Sequence, residues 1–473
     1  MSVATRAADL VVIGAGAGGL SVAAGAAQLG LQVVLFERGE MGGDCLNTGC
    51  VPSKALLAAA RAAQGMRDAG KYGLAPEAPK VDWAAVRRHV KGVIETIAPI
   101  DSQERFEGLG VHVVREHARF VDQRTVASAS LQVRAKRIVI ATGGQAIVPP
   151  IPGLADAGFL TNETVFDLNE LPRRLVVIGA GAIGVELGQA FRRLGSEVTL
   201  IDAADPLGRM DREAADLVVD RLRAEGVRIL ARTAVQRVER TAAGVSVHVE
   251  GAAPIEGSHL LLALGRRAVV DGLDLEKAGV AFTSKGVTTD AFLRSSNPRV
   301  YAVGDVAGRE QLTHAAGWHA SAFVRTVLFR ARTRADATPL ASVVYADPEC
   351  AQIGMTAAEA ETAFGAKATT TKWAFAENDR AQTERATDGF AKLVIGPGGR
   401  ILGASIVGEG AGEAIQLVAL AMANKLGVRA LTNFAAPYPT RGEIVKRAAS
   451  AYYTPLLFSG RTRLLVRLLA QFP

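Results

Sequence analysis

Two of the three cysteines of this 473-residue chain lie close together, in the segment MGGDCLNTGCVPSK. Cys45 and Cys50 are separated by four residues; Gly42 and Gly43 precede the pair, and Gly49 lies directly before Cys50. Three cysteines are too few for a secreted disulfide framework, and the N-terminal residues lack the apolar stretch of a signal peptide. We therefore expect a cytoplasmic protein, in which a close cysteine pair serves redox chemistry rather than structural cross-linking.

The residues around the pair predict a helix that begins irregularly. The run SKALLAAARAA after Pro52 is strongly helical. Five residues of regular helix advance about 7.5 Å, whereas the Cα atoms of a disulfide are roughly 4.4–6.8 Å apart, so the chain must bend near the two thiols. Thiols in the first turn of a helix have a lowered pKa, and Lys54 adds positive charge. A zinc site is disfavoured because two further ligands are missing nearby, and we expect no resident metal.

A glycine-rich motif precedes the cysteine segment. In DLVVIGAGAGGL a strand leads to Gly14, Gly16 and Gly19, and the strand after the next helix ends at Glu37. Such glycines let the backbone approach a pyrophosphate, a helix N-terminus stabilises its charge, and the acid takes the ribose hydroxyls. The uncharged stretch Leu10–Phe36 therefore reads as a buried strand–helix–strand unit and not as a membrane span.

A second motif of the same kind lies later in the chain. RRLVVIGAGAIGVELG contains Gly179, Gly181 and Gly184, and the following strand ends at Asp202. One such motif is a weak signal. Two motifs, each followed by a helix and by a strand that ends at an acidic residue, predict two dinucleotide sites. The run DAADPLGR after the second motif has no cation where a 2′-phosphate would need one, which favours NADH over NADPH.

Net charge gives little evidence for a nucleic-acid partner. The formal charge is +7, but no run of five or more basic residues occurs, and a basic stripe with interleaved aromatics is missing. We expect no nucleic-acid binding.

The cysteine segment resembles the redox-active segment of the two-cysteine flavoprotein disulfide reductases. This family includes dihydrolipoamide dehydrogenase, glutathione reductase and mercuric reductase. The resemblance covers nearly the whole chain: IVIATG (138–143) and LLLALGRR (260–267) resemble the strands that close the two nucleotide units, VYAVGDVAG (300–308) resembles the second flavin motif, and PYPTRGE (437–443) falls at the C-terminal interface motif.

The resemblance and the order of strands and helices together predict an α/β fold. Two Rossmann-like dinucleotide-binding domains precede an α+β C-terminal dimerisation domain. We expect an FAD-binding domain from residues 1–148 and 272–340, an NAD-binding domain from 149–271, and the dimerisation domain from 341–473. Inside the first domain we expect helices near Ala55–Gln64 and Trp83–Ile97.

The resemblance implies a homodimer with FAD at the first glycine-rich motif and NAD(H), less readily NADP(H), at the second. We call these two nucleotide-binding turns the first and the second cradle. The residues expected to contact these cofactors are Gly14, Gly16, Gly19, Glu37, Gly43, Lys54, Thr142, Gly143, Gly179, Gly181, Gly184, Asp202, Gly265, Gly304 and Asp305.

The resemblance also assigns catalytic roles. Hydride passes to the flavin, and electrons then pass to the disulfide. Cys50 would face the flavin and form the thiolate–flavin charge-transfer pair, and Cys45 would meet the substrate as the interchange thiol. Lys54 would lie near the flavin ring, paired with Glu186 beside the nicotinamide.

The chain departs from its dithiol-handling relatives near the C-terminus. Those relatives carry a histidine that acts across the dimer as acid–base; here Tyr438 takes that position, with Glu443 at the accompanying acid. Neutral tyrosine is a poor base, because its reference pKa is about 10 against about 6.5 for histidine. Mercuric reductases carry Pro-Tyr at this place, but their usual C-terminal pair of adjacent cysteines is missing here.

We therefore expect an NAD(P)H-dependent flavoprotein that passes electrons through the cysteine pair to a thiol-reactive small molecule or a soft-metal ion. The alternatives are a dihydrolipoamide dehydrogenase and an NADH-dependent flavoprotein that reduces quinone or oxygen. Two further features stand apart. Cys350 reads as a small packed hydrophobe. The basic, leucine-rich C-terminal tail reads as a packing or surface helix, with peripheral membrane contact as the alternative.

Overall fold

The computed structural model describes residues 4–251 and 253–472, which divide into two compact units. Unit 1 contains the chain up to Asp68, Pro76–Ala203 and Ile229–Ala337. Unit 2 contains Ala69–Ala75, Ala204–Arg228 and the chain from Thr338 onward. The three domain boundaries proposed from the sequence stay predictions.

Helices occur along the whole of the described chain and are numbered in chain order. They are α1 (Ala17–Gln28), α2 (Gly43–Asn47), α3 (Cys50–Asp68), α4 (Trp83–Ile97), α5 (Gln103–Gly108), α6 (Leu154–Ala157), α7 (Ala182–Leu194), α8 (Arg212–Ala224), α9 (Thr313–Phe323), α10 (Ala357–Phe364), α11 (Asp379–Thr383), α12 (Ala411–Ala423), α13 (Glu443–Ala451), α14 (Thr454–Leu457) and α15 (Gly460–Leu469).

The strands of the described residues are numbered in the same way. They are β1 (Ala4–Ile13), β2 (Val33–Phe36), β3 (Val111–Val114), β4 (Arg119–Phe120), β5 (Thr125–Ala127), β6 (Leu131–Ile140), β7 (Gly144–Ala146), β8 (Arg174–Ile178), β9 (Glu197–Ile201), β10 (Arg228–Leu230), β11 (Val235–Thr241), β12 (Gly244–Val249), β13 (Ile255–Gly257), β14 (His259–Leu262), β15 (Arg266–Ala268), β16 (Phe282–Thr283), β17 (Gly286–Val287), β18 (Val300–Ala302), β19 (Ala341–Val344), β20 (Cys350–Gly354), β21 (Thr369–Ala374), β22 (Phe390–Ile395) and β23 (Ile401–Val407).

A seven-stranded sheet in unit 1 positions the first glycine motif. Its order is β3-β2-β1-β6-β5-β4, with β18 also beside β6, and β1 is parallel to both β2 and β6. The last four residues of β1, Leu10–Ile13, are a continuous apolar run because both faces of the strand are covered there: Val11 and Ile13 enter one apolar cluster, while Leu10 and Val12 enter another. The motif therefore lies at the carboxyl end of a central, buried strand, where open α/β sheets bind ligands.

A smaller sheet in unit 1 repeats this arrangement. Its order is β10-β9-β8-β14, and β8 is parallel to β9 and to β14. The second glycine motif follows β8 and leads into α7, most of whose residues are buried. The antiparallel strands β11, β12 and β13 form a separate sheet beside it.

Unit 2 is built on an antiparallel sheet of order β19-β20-β23-β22-β21. Every residue of β22 is buried, because both of its faces are covered. Ala391, Leu393 and Ile395 belong to the apolar cluster that also contains residues of α12 and α13. Lys392, which points to the opposite face, contacts the N-terminal end of α8.

The predicted α/β architecture is confirmed. The uncharged stretch 10–36 forms the end of β1, then α1 and β2, and the predicted helices lie within α3 and coincide with α4. Among the residues the structure describes, no helix combines the length and the apolar character that crossing a bilayer requires.

Candidate active site

The first glycine motif forms a tight turn in front of α1. Gly14 has a φ of +106°, and a Cβ there would lie 2.4 Å from the carbonyl oxygen of Ala141. A Cβ at Gly19 would lie 1.9 Å from the oxygen of Gly14. At Gly16, which caps α1, a Cβ would meet no atom within 4 Å. Two glycines thus permit close packing, and the third leaves open space at a helix N-terminus, where a phosphate would bind.

Glu37 at the end of the adjacent strand is held against this turn. One of its carboxylate oxygens accepts a hydrogen bond from the backbone N–H of Ala15 at 2.6 Å, and the other accepts one from Gly39 at 2.6 Å. The carboxylate is therefore fixed beside the open space, where it can also accept hydrogen bonds from ribose hydroxyls.

The second glycine motif repeats this geometry closely. A Cβ at Gly179 would lie 2.3 Å from the oxygen of Ala263, and a Cβ at Gly184 would lie 1.9 Å from the oxygen of Gly179. Space is again open at Gly181. The carboxylate of Asp202 accepts a hydrogen bond from Ala180 at 2.7 Å, as Glu37 does from Ala15. Both cradles thus fit dinucleotides by the same steric and hydrogen-bonding criteria.

The remaining glycines expected at the cofactors lie at tight turns. Gly143, Gly265 and Gly304 have φ values of +68°, +99° and +74°. The Thr142 hydroxyl donates to the carbonyl of Val269 at 2.6 Å. These turns follow β6, β14 and β18, so they lie at the carboxyl ends of the strands that neighbour the cradles.

The cysteine segment is bonded directly to the first cradle. The backbone N–H of Gly42 donates to the oxygen of Ala15 at 3.0 Å, and a Cβ at Gly43 would lie 2.7 Å from the Cα of Gly16. The bend expected between the cysteines is present: α2 ends at Asn47, and α3 begins at Cys50. The fold therefore carries the two thiols to the edge of the space in front of the first cradle.

Both cysteines of the pair are thiols, and they are hydrogen-bonded to each other. This hydrogen bond lowers the pKa of Cys50 to about 6, assisted by a hydrogen bond to Thr313 and by the charge of Lys54. The Cys50 sulfur and the Thr313 hydroxyl oxygen are 3.2 Å apart. The same cysteine–cysteine hydrogen bond and burial raise the pKa of Cys45. Cys50 is thus the thiol that ionises first.

A nearly buried arginine organises the polar groups beside Cys45. The Arg266 guanidinium lies 3.1 Å from a carboxylate oxygen of Asp44 and 3.5 Å from one of Asp305. The other oxygen of Asp44 accepts hydrogen bonds from Thr48 at 2.7 Å and Asn162 at 3.0 Å. Burial raises the pKa of Asp305, although the charge of Arg266 opposes that effect. One cation therefore links the cysteine segment to Asp305, the aspartate of the segment that resembles the second flavin motif.

Lys54 and Glu186 form the ion pair expected from the sequence. The Lys54 ammonium lies 2.9 Å from a carboxylate oxygen of Glu186, whose side chain is buried. Lys54 is on α3, one turn after Cys50, and Glu186 is on α7, just after the second cradle. The pair joins the cysteine helix to the second nucleotide unit, and its catalytic role stays a prediction.

Tyr438 and Glu443 belong to unit 2. The Tyr438 hydroxyl donates a hydrogen bond to Asp379 at 2.9 Å, and this bond raises the pKa of the tyrosine. Glu443 is the first residue of α13 and pairs with Arg447 at 2.8 Å. Tyr438 is therefore held as a neutral hydrogen-bond donor.

Sequence reasoning missed several groups of the site. Asp44 and Arg266 lie inside the motifs GGDC and LLLALGRR, yet nothing in their spacing indicates that they meet. Thr313 is 263 residues away from Cys50, and Asp379 is 59 residues from Tyr438.

Among the described residues, no cluster of three or more histidine, cysteine, aspartate or glutamate side chains is arranged to hold a metal ion.

Two family models match the chain. The pyridine nucleotide-disulphide oxidoreductase model matches residues 8–320, and the dimerisation domain model of the same group matches residues 340–449. The chain belongs to this family. It is therefore an FAD-dependent oxidoreductase with a disulfide redox centre, it uses NAD(P)H, and its dimerisation domain supports a homodimer.

Related proteins are similar over nearly their full length. The mercuric reductase of Streptomyces lividans is 34% identical, with 94% of this chain and 96% of that protein covered. The dihydrolipoyl dehydrogenase of Geobacillus stearothermophilus is 32% identical, with 95% and 97% covered. Among solved structures, the HOCl-induced flavoprotein disulfide reductase RclA from Escherichia coli matches with a TM-score of 0.85 and 28% identity, over 93% of this chain and 99% of that one.

Proposed function

We propose that this flavoprotein passes electrons from NADH through Cys45 and Cys50 to a soft-metal ion or another thiol-reactive acceptor. The observation that carries the proposal is the hydrogen bond from Tyr438 to Asp379. A dithiol substrate must lose a proton to attack a disulfide, but a tyrosine whose pKa is raised further is ionised in fewer than about one molecule in a thousand at pH 7. An acceptor that needs no such base fits this site better.

Each part of the site has a role in the proposal. The first cradle and Asp305 would hold FAD, and the second cradle would hold NADH. When bound, these groups supply hydride transfer and onward transfer of the electron pair. Gly16 and Gly181 leave room for the two pyrophosphates, and Arg266 orients the aspartate beside the flavin.

The two thiols provide the acceptor site. Cys50, with a pKa of about 6, is ionised at neutral pH. A soft cation bound to the pair favours ionisation of Cys45 as well, because thiolate sulfur is the ligand such ions prefer. The electron balance is NADH + Hg²⁺ → NAD⁺ + Hg⁰ + H⁺ for a two-electron acceptor, or NADH + 2 Cu²⁺ → NAD⁺ + 2 Cu⁺ + H⁺ for a one-electron acceptor.

Two comparisons support this class of acceptor. Mercuric reductases are among the related proteins at about a third identity. A structural neighbour, RclA, was solved as a Cu(II) complex, with a TM-score of 0.84. The dihydrolipoyl dehydrogenases match almost equally well, so dihydrolipoamide oxidation is the second candidate, and Glu443 at the acid position favours it.

NADH is the proposed electron donor. Asp202 keeps its carboxylate at the end of β9, bonded to Ala180, where it can accept hydrogen bonds from ribose hydroxyls and repel a 2′-phosphate. We expect kcat/KM for NADH to exceed that for NADPH by at least about tenfold.

The test is turnover of the purified holoenzyme with a panel of acceptors. NADH oxidation should proceed with Hg²⁺ supplied as a thiol complex or with Cu²⁺ supplied without added thiol, and faster than NAD⁺ reduction by dihydrolipoamide. Cys50→Ser should abolish turnover of the metal ions. Cys350→Ala is the matched control, because that thiol is buried in the sheet of unit 2, and it should keep full activity. Faster turnover with dihydrolipoamide would refute the proposal, as would metal reduction that survives in Cys50→Ser.

A further inference from the structure

The C-terminal segment Thr454–Phe472, which we call the tail, contains helices α14 and α15 and no buried residue. Its large apolar side chains are each between 51% and 73% exposed. They are Leu456, Leu457, Phe458, Leu464, Leu465, Val466, Leu468, Leu469 and Phe472. Exposed apolar surface on this scale marks an interaction site.

The tail is also uniformly basic. Arg461, Arg463 and Arg467 lie among the leucines, and the sequence contains no acidic residue after Glu443. Its partner must therefore be apolar and tolerate, or attract, positive charge.

Helix α15 separates these two properties on its surface beyond its first turn. At 100° per residue, Leu465, Leu468 and Leu469 lie on one side, and Arg463 and Arg467 lie one turn apart on the other. Arg461, in the first turn, lies on the leucine side. The side chain of Ser459 caps the helix by accepting a hydrogen bond from Thr462 at 3.2 Å, so α15 begins at a defined residue. Such a helix, mainly apolar on one side and basic on the other, suits the plane between lipid headgroups and acyl chains.

A second copy of the chain fits this surface less well. The family dimerisation domain matches residues 340–449, and the tail begins after that region. Pairing two tails about a two-fold axis would bring arginines together without acidic partners. An anionic lipid surface instead can bury the leucines and pair with the arginines at the same time.

We propose that the tail binds the enzyme to anionic phospholipid membranes as a peripheral anchor. Acyl chains take up the leucines and Phe472, and phosphate headgroups pair with the arginines. The attachment is reversible, because a single short helix of this kind does not span a bilayer.

The experiment is flotation of the full-length holoenzyme with phospholipid vesicles. Vesicles of phosphatidylcholine with 30% phosphatidylglycerol should carry the protein, whereas vesicles of phosphatidylcholine alone should not, and 0.5 M NaCl should weaken binding. Arg463→Ala/Arg467→Ala should reduce binding by about 25-fold, at about fivefold for each arginine. Leu465→Ser/Leu469→Ser should reduce it by at least about tenfold.

Matched controls lie elsewhere on the surface. Arg124→Ala/Arg240→Ala removes two exposed arginines, and Leu74→Ser/Ile100→Ser removes two exposed apolar side chains; both variants should bind as the wild type does. Unchanged NADH oxidation shows that each variant is folded. Equal flotation with both kinds of vesicle, or wild-type binding by both tail variants, would refute the anchor. A shift of Leu465→Ser/Leu469→Ser from dimer to monomer in analytical ultracentrifugation would refute it in favour of a subunit contact.

Discussion

The Cys50 thiol is prepared for ionisation by its neighbours. Cys45 and Thr313 stabilise the thiolate by hydrogen bonding and Lys54 by its charge, while Asp44 and burial oppose them. The balance places the pKa at about 6, so thiolate is lost as the pH falls through that value. Thr313 is the contributor that can be removed without changing the charge of the site.

We predict that Thr313→Val raises the pKa of Cys50 from about 6 toward about 7, because a hydrogen bond to a charged group contributes roughly 1.5 kcal/mol or more. The measurement is the pH dependence of iodoacetamide alkylation of the reduced enzyme, followed at Cys50 by mass spectrometry. Thr313→Ser is the control and should keep the wild-type midpoint. If Thr313→Val leaves the midpoint unchanged, the hydroxyl does not stabilise the thiolate.

Tyr438 is the residue that sets the proposed preference against dithiols. We predict that Tyr438→His raises dihydrolipoamide oxidation by about tenfold to a hundredfold, since an acid–base group of suitable pKa contributes factors of that size or larger. NAD⁺ reduction by dihydrolipoamide at pH 8 measures it. Tyr438→Phe separates gain of a base from loss of the bond to Asp379: an equal increase in both variants would contradict the missing-base explanation.

At the scale of elements, the two nucleotide cradles are built alike. In each, the last glycine of the motif packs its Cα against the carbonyl of the first, and a strand-end acid accepts a backbone hydrogen bond from the turn. The sequence predicted both turns, because glycine spacing and strand–helix order are local features. It could not predict that Gly43 packs on Gly16, since that contact depends on how the cysteine segment folds back.

We predict that Gly19→Ala and Gly184→Ala each disable one cofactor site. In either variant the new Cβ would lie 1.9 Å from a backbone oxygen, so the turn must open. Gly19→Ala should purify with little flavin, measured as absorbance at 450 nm per protein. Gly184→Ala should keep its flavin and raise KM for NADH by at least about tenfold.

The control for these variants lies on α1 itself. A Cβ at Gly25 would meet its nearest neighbour, a side-chain atom of Val324, at 3.4 Å, which is ordinary contact. Gly25→Ala should therefore retain both cofactors. Loss of flavin in Gly184→Ala with retention in Gly19→Ala would reverse the assignment of the two cradles.

At the scale of the whole molecule, unit 2 is assembled from separate stretches of chain. Lys392 of β22 is buried and pairs with Asp211 and Glu213 at 2.8 Å each, so α8 is tied to the sheet. Lys372 on the neighbouring strand reaches the same Glu213 at 2.5 Å but is half exposed. Asp211 also donates its backbone N–H to Gln352 at 2.6 Å. These contacts hold a segment from the middle of the sequence in the C-terminal unit.

We predict that Lys392→Met destabilises the protein by about 3 kcal/mol or more, because it leaves the buried Asp211 carboxylate without its cation. Lys372→Met removes an exposed partner and should cost less than about 1 kcal/mol. Urea unfolding followed by circular dichroism gives both values. Equal losses in the two variants would show that burial of the ion pair does not determine its contribution.

The sequence was sufficient for the α/β class, the two cradles and the cysteine helix, because each depends on local patterns or on resemblance to a family. It was insufficient for the groups that tune the thiols. Thr313, Arg266 and Asn162 reach the cysteine segment from positions more than 100 residues away. Which side chains converge there is decided by the crossing of strands and helices, and a single sequence does not reveal it.

Cys350 gives the chain an inert third thiol. It begins β20, is fully buried, and burial raises its pKa to about 12, so about one molecule in a hundred thousand carries it as thiolate at pH 7. Scrambling of the redox disulfide requires an accessible thiolate as the attacking group. The native fold therefore confines oxidation to one correct pairing, and mispaired forms can arise only after unit 2 unfolds.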